Sequence, residues 1–465
     1  MSHQASSNQS TFSKEEMAES SILFWFRHDL RLRDNRSLSA ALKHAKKHNQ
    51  RFLMLYFCDP LWRQTDPFGH ERMGVYRAQF ILESLQELKL EIEELGGELL
   101  VLDADPIVEL PRLAQTFNSD YVFASRHVCT EETRQEQDLA QALDSKNCKL
   151  ALAWNHTLYG QQNLPFALGD LPDIYTQFRK QVERSASVVA PLDKPSRLQE
   201  APQALNDSAY SCQLQDLQAE WDEKLKEYGQ RDQRATMLHK GGAKAGEERL
   251  AFYFWDTALI ESYKETRNGL IGDRYSTQFS PWLAVGALSP RWIWHETLRY
   301  EDEVKANSST YWVRFELLWR EYFQWVAYLY GAALFKPYGL TSELQRKTPK
   351  LGRASVKHFQ RWARGETGNE FIDANMKELN LTGFMSNRGR QNVASYLIHD
   401  LGVDWRMGAG YFESKLIDYD PAANWGNWAY IAGVGNDPRP QRKFNTYGQA
   451  ERYDARGEYR ALWLN

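Results

Sequence analysis

The 465-residue chain has only four cysteines, Cys58, Cys129, Cys148 and Cys212, and none of them forms a CxxC pair. That spacing argues against a disulfide scaffold, a zinc ribbon or an iron–sulfur centre, and fits a reducing compartment. No apolar run approaches the roughly 18–20 residues that a membrane helix needs, so no membrane span is expected. Residues 1–20, MSHQASSNQSTFSKEEMAES, lack the apolar core of a signal peptide and read as a disordered leader. A cytoplasmic location follows as the expectation. Nor is the chain basic. Its 57 Lys and Arg stand against 61 Asp and Glu, a formal charge of -4, which confines any nucleic-acid site to a local groove. GxGxxG and GxxxxGK[ST] are both missing, so neither a dinucleotide fingerprint nor a P-loop is supported.

Aromatic residues, by contrast, are plentiful: 16 Trp, 23 Tyr and 22 Phe. Trp25, Trp62 and Trp154 are the only tryptophans before residue 220, and the other 13 follow it, so the two halves have different cores. In the first half, short apolar runs (Ile22–Phe26, Arg51–Cys58, Glu98–Leu102, Tyr121–Ala124, Lys149–Trp154) alternate with helical-period stretches such as Val75–Leu95. This predicts an α/β domain over 21–155 with a doubly wound parallel sheet. Such sheets bind ligands at the carboxyl ends of their strands. Residues 156–220, with Pro165, Pro172, Pro191, Pro195 and Pro202, read as a long connector with short helices. From 221 to 465 long helical segments predict an all-α domain.

Three segments of the second half carry chemistry. Tyr311–Gly331 reads as one helix on which Glu316, Trp319, Arg320 and Phe323 share a face. The charges are either an ion pair at the helix rim or part of a site, since buried charge is costly unless paired. Ser276, Thr277, Gln278 and Ser280 precede an apolar helix, as an N-cap or as an anion site. Asn387, Arg388, Arg390, Gln391 and Asn392 lie close together, as do Asp418, Asp420, Asn424, Trp425 and Trp428. Such groups can hydrogen-bond a heterocycle edge and a polyol. Asp418-x-Asp420 without a nearby histidine is weak evidence for a metal, and none is expected.

These segments, with the opening WFRHDLRLRDN (Trp25–Asn35), the block ELNLTGFMSNRGRQNVASYL (Glu378–Leu397) and the ending NWGNWAYIAGVGNDPR (Asn424–Arg439) through GEYRALWL, resemble the photolyase/cryptochrome family and, within it, the DASH-type cryptochromes. The resemblance spans about 21–465 and implies an FAD-binding helical domain. Under it, Tyr263, Ser276, Thr277, Gln278 and Ser280 match positions at the FAD phosphates and nearby. Arg320 matches a flavin-pocket residue, and Asn387 matches the residue facing flavin N5. Arg390 and Asp418 match an ion pair beside the isoalloxazine, and Asp420 and Asn424 match groups around the ring and ribityl chain. Glu316 and Trp319 match the lesion-contacting carboxylate and aromatic wall, and Arg388 matches a residue near the DNA backbone. Gln391 and Tyr430 stand where ordinary dimer photolyases have Met and Trp, which implies a wider, more polar pocket. Trp428 and Trp405 match the proximal and middle members of an electron-transfer chain, whose outer position is Gly352 here. The family's methenyltetrahydrofolate antenna would meet His127 in place of the expected Glu, and Gln177.

The implied activity is light-driven repair of cyclobutane pyrimidine dimers in single-stranded or looped DNA, by electron transfer from reduced FAD. RNA is a further partner, and the protein is expected to be a monomer. A non-enzymatic blue-light receptor using the same FAD is the alternative. The end at Asn465 without a long tail favours repair. The absence of histidines in the Asn387 block argues against a (6-4) photolyase, and the absence of C-terminal cysteines argues against an iron–sulfur photolyase. A nucleotide-binding enzyme centred on the N-terminal domain ranks last.

Overall fold

A computed structural model of the chain describes residues 20–206, 209–341, 353–436 and 442–465. The proposed leader lies outside these except for Ser20, and so does Gly352.

Five parallel strands, β1 (Ser21–Phe26), β2 (Arg51–Phe57), β3 (Leu99–Leu102), β4 (Ser119–Arg126) and β5 (Lys149–Trp154), form one sheet in the order β3-β2-β1-β4-β5. Their apolar runs are continuous because both faces are covered, and period-two alternation sends successive side chains to opposite cores. Ile22, Phe24, Phe26, Phe52 and Met54 enter one core. Leu23, Trp25, Leu53, Leu55 and Phe57 enter the other. The crossovers are α1 (Arg36–His48), α2 (Val75–Glu94), α3 (Pro106–Thr116) and α4 (Thr130–Asp144). α1 starts where the Asn35 side chain accepts from Leu38 N–H and stops at Asn49 in the left-handed region, φ 51°.

At the β1–β4 switch point, where such a sheet normally opens a ligand crevice, side chains close the gap. Arg27 donates to Glu136 (2.5 Å), the Ser125 carbonyl (3.1 Å) and Gln135 (3.2 Å). Asp29 accepts from Arg27 N–H (2.8 Å), Asn35 (3.1 Å) and the Ser125 hydroxyl. The sequence leaves this crevice as a place for a ligand, whereas the structure fills it with a buried ion pair.

The connector holds α5 (Tyr175–Ser185) and the start of α6 (Leu214–Tyr228). Every later regular element among the described residues is helical: α7 (Ala243–Ala251), α8 (Tyr263–Thr266), α9 (Ser280–Ala284), α10 (Pro290–Glu303), α11 (Ser308–Tyr330), α12 (Arg353–Arg364), α13 (Glu370–Thr382), α14 (Asn387–Ser395), α15 (Trp405–Lys415), α16 (Pro421–Ala432), α17 (Thr446–Tyr453) and α18 (Glu458–Leu464). α11 is the axis of this half. Asn307 and Thr310 close its start in a reciprocal capping box. Its buried Glu321 accepts from Leu158 N–H (2.7 Å), Tyr159 N–H (3.2 Å) and Trp325 Nε1 (2.7 Å), which ties the connector to the helix. Tyr322 and Trp325 of α11 and Trp282 of α9 belong to the same buried cluster as Phe24 and Phe52 of the sheet. The two halves therefore share a core.

Candidate functional site

The helix after Ser276–Ser280 is a single turn, α9, and its cap residue is Phe279, with no side-chain cap bond. The simple N-cap reading of these hydroxyls therefore fails. Arg249 holds the segment from behind, donating to the carbonyls of Thr277 (3.0 Å) and Ser276 (2.9 Å). Gln278 is buried at φ 52°, a backbone state that non-glycine residues rarely adopt and that clusters at ligand sites. The polar groups of Ser276–Ser280 line a cavity of about 490 Å³ enclosed by this segment, α11, the start of α14, and α16.

One face of α11 forms a wall of the cavity, with Glu316, Trp319, Arg320 and Phe323 all lining it. Glu316 and Arg320 are each paired, but not with each other. Glu316 accepts from Arg267 (2.6 Å) and Trp312 Nε1 (3.1 Å). Burial pushes its carboxyl pKa up, and the Arg267 guanidinium acts in the opposite direction. Arg320 reaches across to the His156 carbonyl (2.6 Å) and Asp420 (3.5 Å). Trp319 is stacked on Tyr175 with centroids 3.6 Å apart, and Tyr430 meets it nearly edge-on at 5.8 Å. The Arg442 guanidinium lies over the Tyr430 ring at 3.9 Å.

The opposite wall comes from α14 and α16. Arg390 donates to Asp418 Oδ2 (2.8 Å) and to the Met385 carbonyl (2.8 Å), the ion pair that the resemblance implies. Asp418 Oδ1 is buried without a hydrogen-bond partner among the described residues. Asp420 caps α16 through Ala423 N–H (2.9 Å) and accepts from Gln324 (2.9 Å) and His156 (3.0 Å). Burial alone would raise its pKa, but His156 and Arg320 hold the carboxyl well below the usual range. Asn424 donates to the Ala409 carbonyl (3.1 Å). Gln391 accepts from Arg388 (2.9 Å), whose other nitrogen donates to Asn268 (2.8 Å). Among the described residues no group of three or more His, Cys, Asp or Glu is arranged to hold a metal.

Of the residues matched to the flavin, the lesion, the DNA backbone or the electron path, all but Arg388 and Trp405 line the cavity. Trp428 lines it and has Phe412 (5.0 Å) and Trp362 (6.2 Å) as ring neighbours, while Trp405 packs on Trp425 (5.7 Å). Sequence reasoning missed Arg267, Tyr175 and His156, none of which carries a local signal for its partner. His127 is buried against His28 (4.8 Å) and His156 (5.8 Å) and does not line the cavity.

These residues fit a flavin dinucleotide. Hydroxyls and backbone groups at Ser276–Ser280 suit its phosphates, and the orphan Asp418 oxygen is an acceptor that needs a donor. Residues 22–198 match the family described as DNA photolyase, and residues 312–465 match the FAD binding domain of DNA photolyase. The chain is 44% identical to a cryptochrome DASH of Gloeobacter violaceus over 96% of this chain and 86% of that one. It is also 44% identical to the chloroplastic/mitochondrial cryptochrome DASH of Arabidopsis thaliana, over 95% and 75%. It superposes on the crystal structure of the Synechocystis cryptochrome with a TM-score of 0.88 at 41% identity, covering 96% of this chain and 88% of that one. No helix among the described residues is long and apolar enough to cross a membrane. The chain belongs to the photolyase/cryptochrome family, among its DASH cryptochromes.

Proposed function

We propose that this protein repairs cyclobutane pyrimidine dimers in single-stranded or looped DNA under blue light. One observation carries the reading: Glu316, Trp319, Gln391 and Tyr430, the residues suited to a lesion, line the same cavity as the FAD-type residues Ser276–Ser280, Arg390 and Asp418. Bound there, reduced FAD would supply the light-driven electron.

The chain's own residues bind and orient the lesion. Trp319 and Tyr430 form an aromatic wall for a pyrimidine that has left the stack. Glu316 presents its carboxyl group for a hydrogen bond to a pyrimidine edge, and its ion pair with Arg267 fixes its direction. The polar side chain of Gln391 and the hydroxyl of Tyr430 widen the range of edges that can be satisfied. An unpaired strand delivers the dimer without the cost of opening a duplex. Phosphate contacts in a chain of net charge -4 are confined to the cavity rim, so affinity should fall as salt rises.

The test is Glu316→Ala in the FAD-loaded, reduced protein, assayed on dimer-bearing single-stranded DNA under blue light. Repair should slow by about tenfold or more, the worth of one buried hydrogen bond, with flavin content unchanged. Repair at the full rate would remove Glu316 from the lesion site. Trp428→Phe should greatly slow photoreduction of the bound flavin, and an unchanged rate would take Trp428 out of the electron path.

A further inference from the structure

A second cavity, of about 760 Å³, lies beneath the connector at the outer edge of the sheet. Arg126 and Trp154, the last residues of β4 and β5, line it, so it opens at the carboxyl ends of parallel strands, where α/β sheets bind ligands. The crevice one strand inward is closed by Arg27 and Glu136. The expected antenna contacts, His127 and Gln177, do not line this cavity.

Its wall is positive. Arg36, Arg126 and Arg291 line it, and among the described residues no Asp or Glu does. Arg291 is neutralised by Asp34 at 2.9 Å. Arg36 donates to the Ala190 carbonyl (3.1 Å) and has no carboxylate partner among the described residues. Arg126 makes no side-chain hydrogen bond or ion pair among the described residues, and its guanidinium lies over Trp154 at 5.7 Å. Two cations thus face a cavity without a counter-charge, in a protein whose net charge is -4. Guanidinium forks of this kind match phosphate oxygens. The remaining wall includes the aromatic rings of Trp154 and Phe166 and the amide of Asn163. Apolar faces with a few convergent amides suit a flat ring with hydrogen-bonding edges.

We infer that this cavity binds a nucleotide, with its phosphate on Arg126 and Arg36 and its base between the aromatic wall and the Asn163 amide. The site is separate from the FAD cavity and does not depend on the repair reading.

Calorimetric titration of the FAD-loaded full chain with AMP tests this, with inorganic phosphate and adenosine as comparison probes. AMP should saturate one site per chain without releasing flavin, and each comparison probe should bind at least about tenfold more weakly. Arg126→Gln should weaken AMP by about tenfold or more, the loss of one charged hydrogen bond, with unchanged flavin content reporting an intact fold. Arg36→Gln gives the same reading should the first variant fail to fold. The inference is overturned if AMP does not saturate, if it displaces FAD, if either folded variant binds like the original, or if phosphate alone binds as tightly.

Discussion

At the β1–β4 crevice, Arg27, Glu136, Asp29, Ser125, Asn35 and Asn155 hydrogen-bond one another until the gap is closed. In the helical half, Asp418 satisfies Arg390 with one oxygen and keeps the other unpartnered at the wall of a cavity. Both places hold buried charge. The first is complete within the protein and is therefore structure. The second lacks a donor among the described residues, and a bound ligand with a donor would complete it. A Rossmann-like strand order alone would have pointed to the first place, whereas the hydrogen bonds point to the second.

Breaking the closed network should cost the most. Arg27→Ala leaves Glu136 as a buried carboxylate without its cation, which should lower stability by about 3–5 kcal/mol. Denaturant midpoints should show the loss, while flavin content per folded molecule stays constant. A variant as stable as the original would mean that the crevice is not held by this pair.

The next effect depends on pH. Burial pushes the Glu378 carboxyl up to about 8, although the Tyr459 hydroxyl donates to it at 2.6 Å and Arg390 lies near. Between the ordinary value of 4.5 and about 8, the folded state keeps a proton that the unfolded chain has released. The stability contribution is therefore full below the unfolded value and is lost as pH rises through that window. Glu378→Gln removes this titration, so it should flatten the decline and be the more stable protein above pH 8 by on the order of 2 kcal/mol. Parallel pH dependence of variant and original would contradict the buried-acid assignment.

The smallest effect on the fold sharpens the contrast most. Asp418→Ala leaves Arg390 its bond to the Met385 carbonyl and its partial exposure, so stability without flavin should fall by only about 1.5 kcal/mol, the worth of one hydrogen bond to a charged group. FAD retention should fall by about tenfold or more, as expected for one buried charged hydrogen bond. Flavin binding at the original affinity, measured by absorbance after dialysis, would return Asp418 to a purely structural role.

The sheet was legible because successive residues such as Leu23 and Phe24 both had to be apolar, and α11 was legible from its helical spacing. The cavity-lining residues could be read where they fall in short segments, at 276–280, 387–391 and 418–430. Their partners could not. Arg267 meets Glu316 from 49 residues away, and His156 meets Asp420 across 264. Nothing in either local pattern specifies those tertiary contacts. Tyr175, which stacks on Trp319, sits in a segment that the sequence singled out only for Gln177. The N-cap alternative at Ser276 fails because the following helix is one turn long and capped by Phe279.

The central claim is that the helical cavity joins a flavin site to a lesion site. Its most direct test is the amount of cyclobutane dimer left in a single-stranded oligonucleotide after incubation with the FAD-loaded, reduced protein in blue light and in the dark. The account predicts loss of dimers in light only, faster than in the matching duplex. Equal dimer content in light and dark would contradict it and favour a light receptor that does no repair.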